Sequence, residues 1–507
     1  ALRWRAPQAP ASWTGTRDAS RFCRMCPQYG NFISETGRDS LAGLWGKGVL
    51  VGSEDCLYLN VWRPKTKDRL PVFVFIHGGA NVIGRSDLTI YNGARLASRQ
   101  KMVVVTINYR LGTLGWFAQK ALNTGDRKDD SGNFGTLDII KALEWIRDNI
   151  EAFGGDPGNV TISGQSAGGM NVASMLVSPL SEGLFHRAII ISGPPQSVPM
   201  SLARTRADSI LHRLMKRDGL ADTTSKAREL AAAKGSAWVA SYLRSKTLEE
   251  LFPPDLGGPL GILMDGGLLA VIQMGLYEDG YVVPKNIMAS FMSGSYKKVP
   301  IILGNTTEEM KLFIPFFIVE PGVLFDVMDR FDPDNPDVEL GDLLDPIMWP
   351  LLFAYDPLAK IGQLVFQGYG VDYTARQFAA HQKNVWAYKF AWDEEPDPFD
   401  FFIGAGHALD LPFLFGTFIE DKASLTSFAW SEANRAGREK LSAAMMSYYA
   451  QFARTGNPNG TGDGLPEWTP WSNVKGEPKR IIFDSADPFM SSAYIEPSEV
   501  LNIQAVI

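Results

Sequence analysis

The sequence predicts an α/β fold in which a large, mostly parallel, twisted central sheet is covered by helices on both faces. Three observations predict it. Strand-like runs recur with helical segments between them, at 57–61, 72–76, 102–108, 160–163, 188–192, 299–303, 385–390 and 481–483. Several, such as VFVFI and PIIL, are continuous apolar runs rather than alternating ones, which suits central strands buried on both faces. Residues 160–174, VTISGQSAGGMNVAS, pass from β-formers through the turn Gly164-Gln165-Ser166-Ala167-Gly168 into small, helix-compatible residues.

Taken in order, the chain opens with ALRWRAPQAP, which has neither an initiator Met nor an apolar leader core, so the lack of a signal peptide is uninformative. Its three cysteines, Cys23, Cys26 and Cys56, lie in the first ninth of the chain. Cys23 and Cys26 form a C-x-x-C, but no second Cys or His pair follows at zinc spacing, so no metal site is expected. A disulfide from either to Cys56 would close a loop of about 30 residues, contribute roughly 3 to 4 kcal/mol by the loop-entropy model, and imply an oxidising compartment.

Leu137, Ile140, Leu143, Ile146, Ile150 and Phe153 recur at helical spacing and stop at Gly154-Gly155, a C-cap signal. Leu441, Met445, Tyr448 and Phe452 repeat that pattern before Gly456 and Pro458. Residues 202–252 read as a long helical insertion, and the Pro/Asp-rich 332–357 as an insertion or cap. The most apolar stretch, 313–319 (FIPFFIV), is short and broken by Pro315, so it cannot span a bilayer. It reads as core or a packed lid, or else as a greasy substrate channel.

The 507 residues, 45% hydrophobic and 21% charged, fit a single large domain over 1–507 with ample core. The net charge of −7 and the lack of a Lys/Arg-rich run exclude nucleic acid and anionic membranes as natural partners.

A serine at the apex of a strand-turn-helix is held in strained backbone with its hydroxyl presented at the top of the sheet. Serine is a poor nucleophile unless a base takes its proton, and in this context the partners follow in the order Ser, Asp/Glu, His. Of five histidines, His77 and His186 flank strands, with His186 reading as structural. His212 sits among Leu211 and Leu214 in a helix, and His381 lies in a polar run read as surface. His407, in the glycine-rich GAGHALDLPFLFG beyond a strand, is the candidate base. Glu308 and Glu309 follow the strand that ends at Gly304. Neighbours cannot both aim at one imidazole, so one is the acid and the other is solvated or capping. Backbone N–H donors for an oxyanion are expected from the loop Ile76-His77-Gly78-Gly79-Ala80-Asn81 and from Ala167 at a helix N-terminus.

With these residues in place, the chain resembles the type-B carboxylesterase/cholinesterase family of α/β-hydrolases. The matching segments are SEDCLYLNVWRP, FIHGGAN, TINYRLGTLGWF, SGNFGTLD, FGGDPGNVTISGQSAGG and GHALDLPFLFG, in the family's order from Leu2 to about Asp484. The resemblance implies an α/β-hydrolase fold, Ser166 as nucleophile and His407 as general base. It also selects Glu309, five residues past Gly304, as the acid. The oxyanion donors map to Gly79, Ala80 and Ala167, the disulfide to Cys26 and Cys56, and two ion pairs to Arg3 with Glu54 and Arg110 with Asp138. No cofactor or metal is implied.

Four departures stand out. Gln165 occupies a position where the family usually has glutamate. Met310 follows Glu309 in place of the usual glycine. Asn81 replaces a common aromatic, which implies a more polar pocket rim. The hairpin that usually precedes LRWRAP is not in this sequence. Trp45 falls one position off the family's cation-binding tryptophan and reads as loop packing. Asn305 and Asn459 are glycosylation sequons only where the host glycosylates. The expected activity is hydrolysis of uncharged carboxylic esters through an acyl-enzyme, in a secreted or periplasmic protein. The alternatives are a lipase or sterol esterase, an amide or carbamate hydrolase and, remotely, a non-catalytic adhesion module. The oligomeric state is not legible in the sequence.

Overall fold

The structure is a computed structural model. It describes residues 2–30, 49–252, 275–313, 331–335, 355, 357, 359–420, 424, 426–484 and 493–497. Trp45, residues 314–319 of the apolar stretch and most of 332–357 lie outside the described residues.

A nine-stranded sheet runs through the molecule. Its strands are β1 (Leu59–Trp62), β2 (Leu70–Ile76), β3 (Val103–Ile107), β4 (Gly155–Gln165), β5 (Arg187–Ile191), β6 (Ile301–Thr306), β7 (Val385–Phe390), β8 (Pro478–Phe483) and β9 (Ala493–Pro497). The spatial order is β9-β8-β7-β6-β5-β4-β2-β3-β1. Only the two edge pairs, β1 with β3 and β8 with β9, are antiparallel, so all eight strand-like runs of the sequence lie in one mostly parallel sheet. The ninth strand carries no sequence signal strong enough to anticipate it.

Two boundaries differ from expectation. β4 begins at Gly155 because Gly155 already pairs with Leu70, ahead of an irregularity in the register. β6 continues past Gly304, because Asn305 and Thr306 pair with Lys389 and Phe390. Asn305 is consequently buried within the sheet, which removes it as an accessible sequon.

Successive side chains of a strand point to opposite faces, and both faces here are apolar. Phe73, Phe75, Ile189, Ile191, Ile302, Trp386 and Tyr388 enter one buried cluster. Val72, Val74, Ile76, Ile162, Ala188, Ile190, Ile301 and Leu303 enter another. The second is covered by α1 (Phe134–Asn149) and α2 (Ala167–Val177) through Leu137, Leu143, Ile146, Val172 and Met175. A 3-10 turn, Ile150–Phe153, ends the α1 stretch at Gly154, whose φ of 75° is the left-handed cap that glycine supplies.

α3 (Met200–Arg217) and α4 (Thr224–Arg244) form the helical insertion. They bury Leu211, Leu214, Met215, Val239 and Leu243 with Trp4 and Phe117 in a separate cluster. α5 (Asp410–Phe415) and α6 (Glu432–Thr455) cover the first face with Phe413, Leu441, Met445, Tyr448 and Phe452. Each large apolar side chain so buried contributes roughly 1.5 to 3 kcal/mol.

Cys26 and Cys56 are disulfide-bonded and buried, and Cys23 is a free, exposed thiol. The Arg3 guanidinium pairs with both oxygens of Glu54. That of Arg110 grips Asp138 through Nε at 2.7 Å and Nη2 at 2.6 Å, almost wholly buried. Among the described residues no helix is long and apolar enough to cross a membrane.

Candidate active site

In a parallel sheet, loops beyond the C-terminal strand ends converge on one edge. The expected residues gather there. Ser166 follows β4 and opens α2, in a conformation (φ 57°, ψ −125°) that L-residues rarely adopt and that costs about 1 to 3 kcal/mol. Two backbone hydrogen bonds hold it, Ser166 N–H to Ile191 O at 2.8 Å and Met170 N–H to Ser166 O at 3.0 Å. The flanking glycines are sterically forced. A Cβ on Gly164 would lie 2.3 Å from Gly168 O, and one on Gly168 would lie 2.0 Å from Ile76 O.

Beyond β2 the Gly78-Gly79-Ala80-Asn81 loop, the expected source of oxyanion donors, passes directly beside this turn. A Cβ on Gly78 would stand 3.0 Å from Ser166 Cβ and 2.8 Å from Gln165 O. Gly79, Ala80 and Asn81 all have positive φ, at 98°, 54° and 62°. Val82 and Ile83 both donate to Gly79 O at 3.0 Å, which tightens the turn. Among the described residues the N–H groups of Gly79, Ala80 and Ala167 enter no turn or cap hydrogen bond.

Asn81 is not on the rim. It is fully buried, its Oδ1 accepts from Asn171 Nδ2 on α2 at 2.9 Å, and its carbonyl accepts from Gly112 N–H at 2.7 Å. Asparagine is among the residues that tolerate a left-handed backbone, here at φ 62°. The expectation of a more polar pocket rim is therefore corrected.

His77 is buried and stacks on Tyr109 at 4.4 Å. Burial pushes it down to about 4, so it is neutral at working pH, and its Nδ1–H donates to Gly78 O at 2.8 Å. His186 accepts from Val160 N–H at 3.1 Å and His212 is buried, as their structural readings require. His381 lies at the surface, partly covered, with Nε2 on Met292 O at 2.9 Å.

His407 alone among these meets a carboxylate directly: its Nδ1 is hydrogen-bonded to Glu309 Oε2. The other oxygen, Oε1, accepts from Ser192 Oγ at 2.6 Å and Thr306 N–H at 2.8 Å, and Glu309 is fully buried. Rings of Phe313 and Phe366 pack on the imidazole at 5.0 and 5.6 Å. His407 Nε2 is 2.9 Å from the side-chain nitrogen of Gln165.

Glu308 turns away from the imidazole; it stands at the N-cap of the 3-10 turn Glu309–Leu312 without a side-chain cap bond, and its carboxylate is more than merely solvated. Its Oε2 accepts from Ala405 N–H, its own N–H donates to Ala405 O (both 3.1 Å), and its Oε1 pairs with Lys311 at 2.6 Å. Sequence reasoning missed this clamp and missed Ser192. The one available signal for Ser192 was its position just past a strand end. Among the described residues no group of three or more His, Cys, Asp or Glu side chains could hold a metal ion.

Comparison with known proteins follows the same lines. The model of the carboxylesterase family matches residues 1–335 and 355–488. The chain is 31% identical to a para-nitrobenzyl esterase of Bacillus subtilis (strain 168), over 90% of this chain and 84% of that one. It is 33% identical to a cocaine esterase of Homo sapiens, over 92% and 78% respectively. Among solved structures, a carboxylesterase of Geobacillus stearothermophilus superposes with a TM-score of 0.68 at 27% identity, covering 96% of this chain and 91% of that one. The α/β-hydrolase architecture, the strand-turn-helix around Ser166 and these likenesses agree: the chain belongs to the carboxylesterase family and is a hydrolase of carboxylic esters.

Proposed function

We propose that Ser166, His407 and Glu309 carry this ester hydrolysis, with Gly79, Ala80 and Ala167 as oxyanion donors. The observation that carries the assignment is the direct bond of His407 Nδ1 to buried Glu309, beside a serine held in a strained turn. An ionised carboxylate only accepts hydrogen bonds, so Nδ1 keeps its proton and Nε2 is the free base. Nε2 takes the Ser166 hydroxyl proton as Oγ attacks the ester carbonyl carbon. The resulting oxyanion lies against the three backbone N–H groups. Collapse expels the alcohol, protonated by Nε2–H, and leaves an acyl-serine. Water, deprotonated by Nε2, then attacks the acyl carbon, and Ser166 leaves reprotonated.

The substrates are uncharged esters. The support is that position 165 supplies a buried neutral carboxamide next to the nucleophile, with no fixed negative charge there to hold a cationic alcohol. The compartment is oxidising, secreted or periplasmic, which the buried Cys26–Cys56 disulfide supports.

Ser166→Ala should keep the parent's melting temperature and lower turnover of p-nitrophenyl acetate by about 10⁴- to 10⁶-fold. Parent-like turnover in the folded variant would remove Ser166 from the reaction. For the substrate class, kcat/KM for a neutral butyrate ester should exceed that for butyrylcholine by more than about tenfold. Equal values would discard the preference.

A further inference from the structure

The carboxamide of Gln165 also reaches the imidazole, a contact the hydrolytic steps above do not involve. It is buried, at 4% exposure, between the oxyanion loop and the imidazole. A Cβ on Gly78 would stand 2.8 Å from both its Oε1 and the Gln165 backbone carbonyl oxygen, so glycine at 78 leaves the carboxamide undisturbed. Its Nε2 is 2.9 Å from His407 Nε2.

The protonation pattern of this contact follows from its neighbours. Glu309 on Nδ1 requires the imidazole proton there, so His407 Nε2 presents its single in-plane lone pair. A carboxamide N–H donating to that lone pair satisfies both groups, and the orientation with nitrogen toward the ring is the one that does so. Ser166 Oγ–H needs the same lone pair. Among the described residues, Gln165 is the side chain hydrogen-bonded to it.

We propose that Gln165 is a positioning residue that latches the His407 imidazole as a neutral, proton-accepting base in the free enzyme and yields Nε2 to Ser166 when an ester enters. The proposal rests on the roles assigned above to Ser166 and His407. A glutamate at 165 would act in the opposite sense. An ionised carboxylate cannot donate to a lone pair. It would favour a proton on Nε2, and so an imidazolium that cannot act as a base. The other titratable groups near His407 among the described residues are Glu309, from the loop after β6, and Asp410, from α5. Phe313 and Phe366 present uncharged rings. The carboxamide therefore sets the balance at Nε2 without adding charge.

Two variants test the latch, each with its melting temperature measured. Gln165→Met keeps the length and removes the donor. Its second-order labelling by a fluorophosphonate probe should rise roughly three- to tenfold, the factor for one neutral hydrogen bond that need no longer break. The acid limb of its kcat/KM profile should move up by about half a pH unit to one unit, because the donor that favoured the neutral imidazole is gone. Gln165→Glu should move that limb up by about one pH unit or more and recover activity at high pH. A merely structural role would change melting temperature and labelling together and leave the limb unmoved.

The proposal fails if folded Gln165→Met labels no faster than the parent, or if Gln165→Glu keeps the parent's acid limb. If Gln165→Met does not fold, the near-isosteric Gln165→Glu decides. Ser166→Ala run alongside should not label. Labelling there would overturn the assignment of the nucleophile itself, an outcome distinct from failure of the latch.

Discussion

Asp410, three residues past His407, is buried, and Tyr388 donates a hydrogen bond to its Oδ2 at 2.7 Å. Its Oδ1 has no partner among the described residues. Burial holds this carboxyl up to about 7, against the pull of the Tyr388 hydroxyl, and nearby Glu309 adds to the rise. An unfolded aspartate gives up its proton near pH 4. The native state keeps that proton up to about pH 7, so this group's contribution to stability is full at low pH and is lost between about pH 4 and 7. Asp410→Asn keeps an acceptor for Tyr388 and does not ionise. Its melting temperature relative to the parent should therefore increase from pH 4 to pH 8, and a difference that is flat or falls with pH would contradict the buried-acid account. The adjacent sequence gives little hint of this, because an Asp after Ala-Leu on a helix reads as a solvated residue.

At the level of elements, Glu309 and His407, the proposed acid and base, come from two loops that the chain separates by almost a hundred residues, and Glu308 ties them together. It grips Ala405 through both its backbone and its side chain, while Lys311 holds its second oxygen. Gly404 has a φ of 45°, which favours glycine, and a Cβ there would push on the Glu308 carboxylate at Oε2 and so on the clamp. Loosening the clamp leaves every proposed catalytic group present but lets the loops drift, and small misplacements of reacting groups are costly. Glu308→Ala should lower kcat by about tenfold with little change in KM. Glu308→Gln, which retains an acceptor for Ala405, should recover most of it. Parent-like steady-state kinetics for Glu308→Ala would show that the clamp does not position the base.

At the scale of the molecule, the disulfide joins the N-terminal arm to the segment that leads into edge strand β1, across 30 residues of sequence. Replacing Cys26 and Cys56 by serine should reduce stability by about 3 to 4 kcal/mol in the loop-entropy model, read from urea denaturation. A midpoint equal to the parent's would mean that the loop is already constrained without the bridge. Alkylation of the native protein should modify one thiol per chain, Cys23, since the other two cysteines are bonded and buried.

Much of this architecture is written in local chemistry. Continuous β-branched and aromatic runs specify strands buried on two faces. Gly164 and Gly168 specify a turn that no other residue could make. The order Ser166, Glu309, His407 follows the chain order that a strand-to-helix serine turn leads one to expect. The strands and the glycine turn depend on sterics and periodicity within a few residues, so the sequence alone determines them, whereas the choice of Glu309 over Glu308 rests on the family resemblance. Others depend on which strand ends become neighbours. The burial of Asn305 and the side chain of Asn81, the seat of Ser192 on Glu309, the clamp by Glu308 and the hold of Gln165 on His407 all belong to this group. Gln165 and His407 lie 242 positions apart in sequence. A hydrogen bond between such residues is set by the register of the parallel sheet and the aim of its loops, to within a fraction of an ångström. Nothing local encodes that precision, and only the tertiary structure decides it.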